Sequence, residues 1–320
     1  VEHSKRTLDY AYETVYDQAL DRTTQRAKQV PVLIQYEVGD NRYDKVPDEE
    51  DLALIQRIAQ SSIPYWFPTE RMPKGDEARR NDNMGITHVH HFYTWRNLWT
   101  LAAAFHRVRN APGNLRDPLL FTFEQAIMGM SKWARYAPTH YSQVNQGLSG
   151  TLYVRSRVVE VSLHYVISGK VSRLKGVFRK LGTFHRQNTI TATQSSTELS
   201  GLGDEALDYI FVDPPFGSNL MYSALNFIIE AWHRVLTNGN CEAVIDRTRD
   251  RKLFDYQSLM EESFSQFFRV LKPGRWMTVE FHNSKNSVWN AIQEALLRAG
   301  FMVADVRSLD KKQGTYKQVT

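Results

Sequence analysis

The residues best suited to chemistry are Asp213-Pro214-Pro215-Phe216, which directly follow the apolar run Leu207-Asp208-Tyr209-Ile210-Phe211-Val212. A carboxylate, a carbonyl and an aromatic ring in close succession suit the capture of a planar amine. The lone pair of a ring-attached amine is delocalised, so the nitrogen is a weak nucleophile. A site that accepts both N–H hydrogens holds the nitrogen in line with an electrophilic carbon and favours the charge that develops. Asp213 can supply one acceptor and the Pro214 carbonyl the other, with consecutive prolines stiffening the backbone that aims it. Phe216 offers a face on which a flat ring can stack. The competing reading is an ordinary strand-to-loop turn in which Asp213 caps and Pro214-Pro215 terminates.

The elements around the motif alternate. Residues 190–193, 207–212, 276–281 and 301–306 read as strands, and residues 221–236, a stretch ending at 264–271 and residues 288–299 read as helices. Such alternation implies parallel strands joined by helical crossovers, an α/β sheet whose ligand crevice lies at the carboxyl ends of the strands. Further upstream, Leu8, Tyr12, Val15 and Ala19 fall at three- and four-residue spacing and predict an amphipathic helix over 1–28. Residues 32–38 alternate as a strand, and Gly39-Asp40-Asn41 turns it into a hairpin with 42–44. Acidic residues at 48–51 open a helix that carries Leu52, Ile55 and Ile58 on one face. Residues 63–87 read as loop, 92–108 and 118–136 as helices, and 151–154 as a short strand.

Composition narrows the partners. The single cysteine, Cys241, rules out a disulfide framework and a multi-cysteine zinc site. His88-Val89-His90-His91 has few acids near it in sequence, so no metal is expected. No apolar run reaches the ~20 residues of a membrane helix, and a cytoplasmic location without membrane contact is expected. Residues 96–188 hold 14 Lys/Arg against 3 Asp/Glu, while the segments on either side are slightly acidic. Within this block Arg155, Arg157, Lys170, Arg173, Lys175, Arg179, Lys180 and Arg186 face one acid, Glu160, and Tyr153, Tyr165, Phe178 and Phe184 interleave with them. The pattern suits phosphate tracking, with Arg173, Lys175, Arg179 and Lys180 as the expected DNA contacts. The alternative is a solvated helix face.

The motif and its surroundings resemble the amino-methyltransferases of DNA, which carry a (D/N/S)-P-P-(Y/F) motif after the fourth sheet strand. The likeness runs through residues 208–219, Tyr222-Ser223-Ala224-Leu225-Asn226, Glu230-Ala231-Trp232 and 269–276, and matches large bacterial adenine-specific methylases. It continues upstream at Thr94-Trp95-Arg96-Asn97-Leu98 and Gly150-Thr151-Leu152-Tyr153, and downstream through 309–314. The resemblance implies a Rossmann-like methyltransferase sheet, partial within this chain, with an additional mainly helical N-terminal region. It also implies S-adenosylmethionine as methyl donor and a flipped-out base in DNA as acceptor. The aspartate form of the motif points to adenine N6; cytosine N4 is the alternative within the family.

One part of the family pattern is missing. The donor-binding Phe-x-Gly-x-Gly motif is absent from these 320 residues, and Gly201-Leu202-Gly203 adjoins Asp204-Glu205 rather than an apolar strand. An upstream segment or a second chain is therefore expected to supply the donor motif, and a DNA-binding fragment without turnover is the reading from another class. By position in the family layout, Ser195 and Ser196 are expected beside the donor; the competing reading is an ordinary Ser/Thr helix cap. Asn219, Tyr222, His282 and Asn283 are expected to line the pocket. The expected organisation is an accessory or DNA-recognition region over 1–150, a basic connecting segment over 151–188 and a catalytic core half over 189–320.

Overall fold

The computed structural model describes residues 10–138, 143, 147–181, 188–218 and 220–307. Asn219, Phe184, Arg186 and everything beyond Arg307 lie outside the described residues, and so do the calls made on them. The chain is mixed α/β and forms two compact units. One comprises Val1–Gln187 with Met221–Asn240, the other Asn188–Leu220 with Cys241–Thr320. Among the described residues no helix is long and apolar enough to cross a membrane.

The first unit opens with two antiparallel hairpins, β1 (Tyr12–Asp17) with β2 (Arg22–Ala27) and β3 (Ile34–Val38) with β4 (Asn41–Lys45). The second hairpin turns at Gly39, φ +60°, where the sequence places it. Over residues 12–27 the first replaces the helix expected over 1–28, of which residues 1–9 lie outside the described residues. Thr14-Val15-Tyr16 and Thr23-Thr24 are β-branched or aromatic, and β1 alternates in burial, so the period of two prevails there over the helical spacing. Helix α1 (Glu49–Ala59) starts from a capping box in which Asp48 and Asp51 bond each other's backbone. Helix α2 (Trp95–Arg109) is capped by Thr94, and α3 (Gly113–Ile127) starts before Pro118 instead of at it. The expected strand at 151–154 is not one. Its backbone is paired by a side chain, with Asn81 Nδ2 donating to the Leu152 carbonyl (2.8 Å) and the Val154 N–H donating to Asn81 Oδ1 (3.1 Å).

Helix α4 (Leu163–Leu181) buries Val166 near its start, whereas Arg173, Lys175, Phe178, Arg179 and Lys180 are exposed. Helix α5 (Tyr222–His233), which follows the Asp-Pro-Pro-Phe motif in sequence, packs within the first unit. Its Trp232 is fully buried among Trp66, Tyr93, Phe105 and Phe123 and donates from Nε1 to the Tyr93 hydroxyl at 3.0 Å. Apolar Ala224, Ile228 and Trp232 at helical spacing fix this face.

The second unit holds one sheet, β5 (Leu207–Val212) parallel to β6 (Leu271–Val279). Residues 190–193 and 301–306, expected as strands, are irregular, so the described sheet has two strands. Helix α6 (Leu253–Val270) precedes β6, and α7 (Asn286–Arg298) follows it. Tyr256 and Phe264 on α6 pack with Val288, Ile292 and Ala295 on α7, while Ile210, Val270 and Leu271 form a smaller core with Leu199.

Candidate functional site

The strand pair sets the site. Tyr209 aligns with Trp276, Ile210 with Met277, Phe211 with Thr278 and Val212 with Val279, and the Glu280 N–H donates to the Val212 carbonyl at 2.9 Å. Two parallel strands therefore end side by side, and the loops beginning at Asp213 and Glu280 leave from neighbouring carboxyl ends. In open α/β sheets this is where ligands bind.

The loop after β5 is held carbonyl by carbonyl. Tyr256 on α6 donates its hydroxyl to the Pro215 carbonyl (2.6 Å). Buried Asn283 donates from Nδ2 to the Phe216 carbonyl (2.8 Å) and accepts the Lys285 N–H at Oδ1 (2.7 Å). The Ile245 N–H donates to the Gly217 carbonyl at 3.2 Å. Gly217 has φ +69°, and a Cβ there would sit 3.1 Å from Val288 Cγ1, so this close-packed turn requires glycine. Asp213 is exposed, and among the described residues neither its carboxylate nor the Pro214 carbonyl has a hydrogen-bond partner. Exposed Asp213 and buried Pro214 thus hold two acceptors without a hydrogen-bond partner, on a backbone whose next three carbonyls are taken. The half-buried Phe216 ring meets Phe281 and His282 edge to face, with centroids at 5.5 and 6.5 Å.

Of the expected site residues, the structure brings Asp213, Pro214, Pro215, Phe216, His282 and Asn283 together at the strand ends. Asn283 spends its amide on the loop backbone, so it positions the motif. Tyr222 opens α5 in the first unit. Ser195 accepts the Thr197 N–H (3.3 Å) and pairs with the Thr197 hydroxyl (2.8 Å), and Ser196 pairs with Ser263 on α6 (2.9 Å). Both serines are therefore engaged in turn and packing contacts. A groove of about 490 Å³ lies beside Thr197, along the α6 face that carries Gln257, Ser258 and Glu261. At 100° per residue that face is opposite Tyr256, and so opposite the motif loop. Sequence reading missed Tyr256, Gly217 and the 246–251 loop because nothing in a linear pattern marks a side chain that reaches back 41 residues to a carbonyl.

Titratable groups also gather in the first unit. Asp17, His90 and His91 form the one metal-competent trio among the described residues, and the acid missing beside His88–His91 in sequence arrives from the end of β1. Asp17 Oδ2 faces His90 Nε2 at 3.0 Å and His91 Nε2 at 2.6 Å, and Oδ1 accepts the Ala19 and Leu20 N–H groups. The Thr87 N–H donates to His91 Nδ1 (3.2 Å), which leaves the ring proton of His91 on Nε2, pointing at Asp17. A metal at that nitrogen would turn an Nδ1–H onto the Thr87 N–H. As arranged, the trio is a hydrogen-bonded clamp that fastens the first hairpin. Tyr12 adds a bond to the Asn83 carbonyl (2.7 Å), and Gly85 lacks the Cβ that would collide with the Gln25 carbonyl. Burial pushes the Asp17 carboxyl upward, but hydrogen bonds from His90 and His91 outweigh it and hold the group well below the usual range. Burial lowers His91, and together with its histidine neighbours lowers His88 to about 4. Burial also brings Lys132 down to about 7.

No family model, curated protein or solved structure matches the chain.

Proposed function

We propose that the second unit carries the target-amine pocket of an S-adenosylmethionine-dependent DNA methyltransferase acting at adenine N6. The observation that carries this reading is the pair of free acceptors, Asp213 Oδ and the Pro214 carbonyl, at the carboxyl end of a parallel strand. An exocyclic amine offers two N–H donors, and the loop offers two acceptors beside the ring of Phe216. The two parallel strands are read as part of a Rossmann-like sheet. The cation-rich α4 supports nucleic acid over a protein substrate, and a cytoplasmic location goes with that substrate.

S-adenosylmethionine would supply the electrophilic methyl group. Ser195 and Ser196 are already paired, and the glycine motif that would bring backbone against the donor is missing from the sequence. This absence favours a second reading, a DNA-binding module without turnover on its own. The deciding experiment incubates the protein, supplied with a segment or second chain that carries the donor-binding glycine motif, with methyl-labelled donor and DNA of defined base content, followed by nucleoside analysis. N6-methyladenine, lost in Asp213→Ala, supports the proposal. N4-methylcytosine would shift the target base, and DNA binding with no transfer under any donor condition would favour the module.

A further inference from the structure

We infer that the loop Asp246–Arg251 is a phosphate clamp for the DNA strand that delivers the target nucleotide, with Arg247 and Arg251 as its positioning residues. The inference rests on the amine-pocket reading above and adds a site for the backbone that must accompany the base.

The loop is built to stay in place. Asp246 and Arg251 exchange backbone hydrogen bonds, 3.1 Å from the Asp246 N–H and 2.8 Å from the Arg251 N–H. Buried Asp246 accepts the Thr248 N–H (2.8 Å) and hydroxyl (2.7 Å). Arg249 is consumed internally, 3.2 Å from Glu242 and 3.4 Å from Asp246. One residue earlier, the Ile245 N–H is bonded to the carbonyl of Gly217, which directly follows Phe216. The loop is therefore fastened to the same turn that presents the motif.

Two cations are left over. Arg247 is exposed, and its guanidinium has no hydrogen bond or ion pair among the described residues. Arg251 is half-buried, and its Nη2 is buried with no partner. A buried guanidinium N–H with nothing to donate to calls for an acceptor from outside, and a phosphate matches its planar fork. Base extrusion rotates a nucleotide about its own backbone, so the adjoining phosphates must be gripped next to the pocket. A loop already ordered does this without an added entropic cost of closure. The cations of α4 differ: Arg173 and Lys180 lie on one side of the helix and Lys175 and Arg179 on the other, at 100° per residue, which suits diffuse attraction.

The test uses the 320-residue chain and a fluorescein-labelled single-stranded oligonucleotide containing one adenine, with affinity followed by anisotropy from about 50 to 200 mM salt. Arg247→Gln/Arg251→Gln should weaken binding about 10-fold or more at low salt and reduce the log–log salt slope by about 1.4, roughly 0.7 per phosphate contact. Arg251→Lys, which keeps charge but not the fork, should fall between. Replacing the phosphates flanking the adenine by methylphosphonates should weaken wild-type binding but not that of the double variant. Melting curves matching wild type show that the variants fold; should the double variant melt early, exposed Arg247→Gln alone carries the same test at half the slope change. Unchanged affinity and slope, equal methylphosphonate effects in wild type and variant, or no wild-type binding would each overturn the clamp. Asp213→Ala separates this failure from failure of the pocket reading. It removes no cation, and retained DNA binding with transfer lost, once a segment carrying the donor motif is supplied, supports the pocket whatever becomes of the loop.

Discussion

Asp213 and Phe216 divide the work at the motif between accepting hydrogen and stacking, and their substitutions should diverge. Asp213→Ala removes an acceptor aimed at developing charge, so methyl transfer should fall on the order of 10²-fold or more while DNA affinity stays near wild type. Wild-type turnover in this variant would remove the assignment. Phe216→Ala should raise the KM for DNA, and Phe216→Tyr should be tolerated, because a phenol keeps the stacking face. Equal losses in both would point to a packing role against Phe281.

At the scale of elements, the first hairpin depends on the Asp17 clamp, and its stability should be pH-dependent. His88 has a folded pKa near 4, depressed from the ordinary 6.5, so between those values the unfolded chain binds more protons than the folded one. Stability is therefore fully present above about pH 6.5 and declines as pH falls toward 4. The Asp17 contribution, from a pKa depressed further, is lost only below the ordinary carboxylate range. His88→Asn should flatten the decline between pH 6.5 and 4 in urea titrations, and Asp17→Ala should cost about 3 kcal/mol at neutral pH, as loss of a buried, fully bonded carboxylate does. An unchanged acid limb in His88→Asn would move the dependence to other groups. Helix α4 makes a separate prediction. Neutralising Arg173, Lys175, Arg179 and Lys180 together should weaken DNA binding across sequences and flatten its salt dependence, and an unchanged Kd at low salt would place the diffuse contacts elsewhere.

For the whole molecule, the chain threads one unit, enters the second, and returns α5 to the first before completing the second. Stability of the first unit consequently depends on a segment that lies far along the sequence. Trp232→Ala should cost about 3–5 kcal/mol, the range for truncating a fully buried large aromatic, and the loss should appear in hydrogen exchange of α2 and α3, whose Phe105 and Phe123 touch the indole. Protection unchanged there would contradict the packing. The missing glycine motif bears on the whole chain as well. Calorimetry on the 320 residues should find S-adenosylmethionine affinity weaker than micromolar, about −8 kcal/mol. Tighter binding would reveal a complete donor site of another design.

The sequence by itself determined the strongest local features. The apolar run at 207–212 became β5, Gly39-Asp40 became the turn of the second hairpin, and the acidic start at Asp48 became the cap of α1, because each is decided by contacts within a few residues. The motif's place after a strand was legible for the same reason. Tertiary structure decided the rest. The spacing of Tyr12 and Val15 fits a helix, yet Asp17 gains two histidines 73 and 74 residues away only if the segment is a hairpin. Leu152 and Val154 look like strand residues, but the side chains of Asn81 and Glu77 bond their backbone. Which carbonyls of the motif loop are free and which are bound depends on Tyr256, Ile245 and Asn283, whose reach across the fold has no local signature. A hydrogen bond between distant residues lowers the free energy of one arrangement without leaving a periodic trace in the chain, and for that reason the chemistry of this loop was readable while its geometry was not.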